Sequence, residues 1–219
     1  KYNYLYADTV ESDAGFAYKP SSFLKNYSVI PYRQYNRTLE MAPSFRNYMR
    51  NNFDIAKFSD YSYSIKDEFG ASVPTDTYGT FANPGFLPFL NNGYYNGIAA
   101  TPAFTNQPFP VTFSDSTFFT ITHVLTTSSD NKRSNDTVVH VQKFSNYYAY
   151  DDGTAEQGYY LNTYGAKTAL RFTVNVADTL KSVRIYFDPI LDGTGILAST
   201  FRIMVWNAGS NGPGSILLK

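Results

Sequence analysis

The sequence predicts an all-β chain, an immunoglobulin-like β-sandwich followed by a jelly-roll-like β-sandwich, and three observations lead there. Aromatic residues make up 18% of the chain, with 20 Tyr and 18 Phe, and such rings suit a pleated, half-buried surface better than a helix face. Apolar and polar residues alternate with a period of two over several short runs. Between those runs stand clusters of Gly, Pro, Asn and Asp, the residues that turns require.

Residues 1 to 52 are punctuated by Pro20, Pro31 and Pro43, and Ser44–Asn52 reads as one or two helical turns. From Phe58 the alternation sharpens. Tyr61, Tyr63 and Ile65 interleave with Ser62, Ser64 and Lys66 as a half-buried strand does, and Asp67-Glu68-Phe69-Gly70 supplies its turn. Residues 71–110 carry Pro74, Pro84, Pro88, Pro102, Pro108 and Pro110, so little regular structure is expected there. A structureless stretch that long is uncommon inside a compact domain, so it is either functional or contains some regular structure after all.

Phe118–Thr126 and Thr137–Phe144 are β-branched and aromatic runs joined by a polar connector rich in turn formers, which predicts a hairpin. A symmetric hairpin places Phe119 opposite Phe144, His123 opposite His140 and Leu125 opposite Val138. The segment 147–156 opens a new pattern, so the expected modules are 1–144 and 145–219. Three more strands alternate in the second module: Leu170 to Val176, Val183 to Phe187, and Phe201 to Val205. Asp192-Gly193-Thr194-Gly195 and Asn211-Gly212-Pro213-Gly214 form turns between and after them. No internal repeat links the two halves.

A two-sheet jelly roll uses about eight strands, more than residues 145–219 supply, and the chain stops on the apolar run Ser-Ile-Leu-Leu-Lys. The second sandwich is therefore expected to be incomplete as given. Val183, Ile185, Phe187, Phe201, Ile203 and Val205 each need a cover, from further residues, the first module or another protein.

Composition excludes several functions. Lys plus Arg and Asp plus Glu both total 18, leaving a formal net charge of zero and no field to gather phosphates, so no nucleic-acid partner is expected. Cysteine is absent, which removes disulfides, thiolate metal sites and a cysteine nucleophile. No apolar run approaches the ~20 residues that span a bilayer. The first residues, Lys-Tyr-Asn-Tyr-Leu-Tyr, do not read as a signal peptide, so any targeting segment is expected to have been removed.

The chemistry-bearing residues are few. Asp151, Asp152 and Glu156 gather three carboxylates that a calcium ion would take as oxygen ligands. The plainer and preferred reading is an Asp-Asp-Gly turn whose side chains cap backbone amides. Apart from that calcium, no cofactor is expected. His123 and His140 are the two histidines, and two imidazoles alone make an incomplete zinc site, so a structural pair is preferred. Neither Gly-x-Ser-x-Gly nor a Walker or dinucleotide fingerprint occurs, and the chain is expected to be non-catalytic. Tyr94 and Tyr95, in a Gly-Asn loop, are candidates for stacking on a carbohydrate, against the plainer reading of packing.

Ile-Thr-His-Val at 121–124, Asn-Asp-Thr at 135–137 and Phe144 through Tyr-Tyr-Ala-Tyr-Asp-Asp-Gly-Thr-Ala-Glu to 156 carry a resemblance. It continues through Asp178-Thr-Leu, Val183-Arg-Ile-Tyr-Phe187, Phe201-Arg-Ile-Met-Val-Trp206 and Gly212-Pro-Gly214. Over 121–219 the chain resembles the module pairs of large secreted Bacteroidetes proteins, the cargo of the type IX secretion system. The resemblance implies export to the outer-membrane surface or release, with the secretion translocon or other cell-surface proteins as partners. It also implies O-glycosylation at Asp-Thr sites, which Thr9, Thr137 and Thr179 fit. The expected function is a non-catalytic structural or interaction module of an exported cell-surface protein. The alternative is a carbohydrate-binding accessory module of a secreted hydrolase.

Overall fold

The computed structural model describes residues 13–43, 46–73, 94–98, 109–110, 116–154, 158, 163, 165–187 and 202–218. It is 40% strand and 7% helix, an all-β chain as predicted. By its contacts the chain divides into two units, 1–152 and 153–219.

In the first unit the elements are β1 (Ala14–Tyr18), β2 (Val29–Pro31), the single helical turn α1 (Arg37–Glu40), β3 (Arg46–Asn51), β4 (Ser59–Lys66), β5 (Ser72–Val73), β6 (Tyr94–Ile98), β7 (Thr117–Thr127) and β8 (Thr137–Ser145). They build a three-stranded sheet of order β1-β3-β6 and a five-stranded sheet of order β2-β8-β7-β4-β5. Only β2 and β8 run parallel in the larger sheet. The first unit continues to Asp152 because Ala149 bonds back to Ser28 and Val29.

Alternation decides which side chains enter the core. On β4, Tyr61, Tyr63 and Ile65 are buried while Asp60, Ser62, Ser64 and Lys66 are exposed. On β7, Phe119, Ile121, His123 and Leu125 point inward, and on β8 His140, Gln142 and Phe144 do. Phe16 of β1 and Met49 of β3 join these residues in one cluster, so both sheets bury their side chains into a single core. Its rings meet edge to face, as at Phe119 and Phe144, whose centroids lie 5.9 Å apart at 84°.

Three expectations are corrected. The helical turns expected in Ser44–Asn52 give way to strand β3 over Arg46–Asn51. Its inward positions are Asn47, Met49 and Asn51, so two polar residues mask the apolar period. Asn51 tolerates burial because its side-chain oxygen accepts from the Phe53 amide and its side-chain nitrogen donates to the Ile55 carbonyl, both at 2.9 Å. Second, Tyr94 and Tyr95 lie on strand β6 rather than in a loop, while most of 71–110 lies outside the described residues. Their backbone partners are Arg50 and Met49 of β3.

Third, the hairpin forms with a shifted register: His123 pairs with Val138, Ile121 with His140, Phe119 with Gln142 and Thr117 with Phe144. The Leu125 amide donates to the Asp136 carbonyl at 2.8 Å, which brings β8 in two positions away from the symmetric ladder. The connector imposes this through a left-handed Ser129, φ +62, and a 3-10 turn at Arg133–Asn135. A shift of one residue would have turned β8 over, whereas a shift of two keeps every side chain on its face.

In the second unit, β9 (Val205–Ala208) and β10 (Pro213–Leu218) form a two-stranded antiparallel ribbon. Asn211 and Gly212 lie in its turn, closed by the Gly209 amide donating to the Gly212 carbonyl at 2.8 Å. The strands expected at Leu170–Val176 and Val183–Phe187 are not among the strands of the described residues, and the apolar side chains there are exposed without alternation. Phe201 and the Asp192–Gly195 turn lie outside the described residues.

Candidate functional site

His123 and His140 meet inside the first unit. They sit diagonally across the β7–β8 ladder, and their rings stack at 5.0 Å between centroids and 15° between planes. His123 is 0% exposed and His140 8%. Phe23 closes over both rings at 5.9 and 6.1 Å, nearly perpendicular to each. Phe16 adds an edge contact to His123 at 6.5 Å. The His123 Nδ1 shares a 2.6 Å hydrogen bond with the Tyr61 hydroxyl, while both ring nitrogens of His140 lack a partner among the described residues.

Burial lowers the His123 pKa to about 3, helped by the neighbouring His140. Burial likewise lowers His140 to about 4, with the positive charge of Lys19 adding to the effect. Both rings are therefore neutral at pH 7. Their near-parallel planes aim the nitrogen lone pairs alongside one another rather than at a common point. That geometry suits packing and not a shared metal ion.

A second cluster lies at the connector end of the hairpin. Asp13, Asp130 and Asp136 are all buried. Asp13 accepts from the side-chain amides of Asn52 and Asn135, at 3.0 Å in each case. Asp130 accepts from the backbone amides of Ala14 and Lys132, at 3.2 and 2.9 Å. Asp136 is held above the usual carboxylate range, first by burial, then by the charge of Asp130, with Arg133 opposing and a hydrogen bond to Asp130 adding to the rise. A Cβ on Gly15 would land on the Asn135 side-chain amide, so only glycine lets that amide lie across β1.

Beside this network opens a cavity of about 310 Å³, lined by Asp13, Tyr18, Arg50, Asn52, Lys132 and Asn135 among others. Tyr18 is exposed, and its ring meets Tyr48 edge to face at 6.1 Å. The lining combines an aromatic surface with carboxylate, amide and cationic groups. Such a set can stack on one face of a small polar ligand and hydrogen-bond its rim.

The residues singled out from sequence are scattered. Asp151 and Asp152 are exposed, and Asp152 pairs with Lys19 at 3.1 Å. Gly153 follows with φ +96, a conformation that glycine adopts freely. Glu156 lies outside the described residues. Among the described residues no group of three or more His, Cys, Asp or Glu is arranged to hold a metal ion.

Thr137 is exposed at the start of β8, next to the buried Asp136, and Thr179 is exposed with its amide bonded to the Asp178 carboxylate at 2.7 Å. Thr9 lies outside the described residues. Tyr94 is the backbone partner of Arg50, which places one candidate stacking residue on the strand beside the cavity.

Sequence reasoning missed Asp13, Asp130, Asp136 and Asn135. Asp130, Asn135 and Asp136 looked like ordinary turn formers, and Asp13 is 122 positions from Asn135. No local pattern joins them. No described helix is long and apolar enough to cross a membrane. Comparison of the chain with protein-family models, curated proteins and solved structures finds no match.

Proposed function

We propose that this chain is a non-catalytic structural or interaction module of an exported cell-surface protein, a substrate of the type IX secretion system. It combines an immunoglobulin-like β-sandwich with a jelly-roll-like one. The observation that carries the interaction role is the apolar surface of the second unit. Val183, Ile185 and Phe187 are 49%, 46% and 49% exposed, and Leu170, Phe172, Val174 and Val176 are exposed as well. Apolar side chains left exposed in such number favour contact with another surface, because leaving them in water forgoes about 25 cal/mol per Å². The Asp-Asp-Gly-Thr-Ala-Glu block at 151–156 supports the export route.

The test is location. In cells of the encoding organism, external protease should reach the protein when the type IX translocon is intact. Disabling the translocon should trap it in the periplasm. A cytoplasmic protein, or surface display that ignores the translocon, would overturn the reading.

The cavity beside Tyr18 favours a second reading, a carbohydrate-binding accessory module. A glycan array probed with the 219-residue chain tests it. A bound oligosaccharide whose affinity falls at least tenfold in Tyr18→Ala supports it, and an array with no binder removes it.

A further inference from the structure

An asparagine followed by glycine can modify itself, because glycine has no Cβ to keep its amide nitrogen away from the side-chain carbonyl of the preceding residue. The chain has three such pairs, at 92–93, 96–97 and 211–212. The first lies outside the described residues. Asn96 and Gly97 stand on β6, paired with Tyr48 and Asn47 of β3, so the ladder holds their backbone extended. Asn211 and Gly212 belong instead to the turn of the β9–β10 ribbon, and Asn211 is exposed. Among the described residues, no atom beyond its two chain neighbours comes within 4 Å of the place that a Cβ on Gly212 would take. The turn leaves room for a ring to close.

We propose that Asn211 is a site of spontaneous modification, at which the ribbon turn deamidates to aspartate and isoaspartate while strand β6 preserves Asn96. The Gly212 amide nitrogen attacks the side-chain carbonyl carbon of Asn211, and ammonia leaves with the amide's proton. The product is a succinimide ring. Water then adds to either carbonyl of the ring and opens it, giving aspartate one way and isoaspartate the other, with no oxidation or reduction. Proximity drives the first step, and a paired strand withholds it by fixing the dihedrals that must turn.

The modification reaches the ribbon itself. The Gly209 amide donates to the Gly212 carbonyl at 2.8 Å, a closure that spans a fixed length of main chain. Isoaspartate routes the main chain through the former side chain and adds a carbon to the turn, and turn length sets the register of the flanking strands. Either product also adds a negative charge to a chain whose formal net charge is zero. Trp206, opposite Ile216 in the ribbon, is placed to report the change.

Peptide mapping of the whole folded chain during incubation at pH 8, with digestion in acid to stop the reaction, tests this. The mass gain of NH2 replaced by OH should accumulate at 211–212 at least tenfold faster than at 96–97. In urea, with both pairs unfolded, the two rates should come together. Equal rates in the folded chain, an Asn211 that stays unmodified, or a difference that persists unchanged in urea would overturn the proposal. The deamidated form, separated from the parent by ion exchange on its added charge, should show altered Trp206 emission. Unchanged emission would overturn the effect on the ribbon.

Discussion

The two units carry the same kind of sequence and treat it in opposite ways. In the first, alternating residues of β4, β7 and β8 are buried, with Ile121 and Phe144 each 0% exposed. In the second, the equally regular Val183, Ile185 and Phe187 stand about half exposed, and no described residue of 153–219 is buried. The difference teaches that period-two alternation specifies a face and says nothing about what covers it. A strand is completed by its neighbours' hydrogen bonds and by a facing layer, and both come from elsewhere in space.

Acid should separate the units most sharply, because both histidines lie in the first. Their folded pKa values, about 3 and about 4, lie below the ordinary 6.5. The unfolded chain therefore takes up protons that the folded chain refuses. The stability that the pair contributes is complete above about pH 6.5 and is lost as pH falls through about 4 and about 3. At about 1.4 kcal/mol per pKa unit the loss amounts to several kcal/mol, on the scale of a domain's whole stability. Urea melts from pH 7 to pH 4 should show the first unit's transition falling steeply, and a flat profile would contradict the burial of the pair. Asp136 acts in the other direction. Its raised pKa means that stability falls as pH rises through the carboxylate range, which limits the first unit from the alkaline side.

Core truncation sharpens the same contrast. Phe144→Ala removes a fully buried ring and should cost about 3–5 kcal/mol in the first unit. Ile185→Ala should change stability by about 0.5 kcal/mol or less, as surface substitutions do. Trp206, the single tryptophan, lies in the second unit and reports on it separately. An equal cost at both positions would mean that Ile185 is covered in solution.

A smaller effect is expected at Gly15. A methyl group there displaces Asn135 from Asp13 and should cost about 1–3 kcal/mol, the range for a buried polar group left without its partner. Thermal melts of Gly15→Ala alone and combined with Asn135→Ala check it. The second substitution should add little once the amide has been displaced.

The smallest effect belongs to the Lys19–Asp152 pair. Its side chains are 50% and 39% exposed, and Asp152→Asn should cost under about 1 kcal/mol and vanish in high salt.

Much of the fold was legible. The β4 alternation, the β7–β8 hairpin and the shared inward face of the two histidines could be read from residue order, because each depends on the period of a strand. Strand β3 was not legible, since Asn47 and Asn51 fill inward positions with polar side chains. Strand β6 hid among glycines and prolines, where turn-forming residues outweigh a five-residue strand signal. The Asp13 cluster and the cavity beside it had no local signature at all, because their members come from β1, β3 and the β7–β8 connector.

The sequence by itself determined the class of the chain and the facing of its clearest strands. Composition and period act on each residue locally, and local sterics decide which side of a strand a side chain takes. Tertiary structure alone decided the two-residue register shift, the closing of Phe23 over the histidines and the gathering of Asp13, Asp130 and Asp136. Those outcomes depend on which distant groups satisfy one another's hydrogen bonds and fill one another's volume. Residues more than a hundred positions apart can do that only after the chain has brought them together.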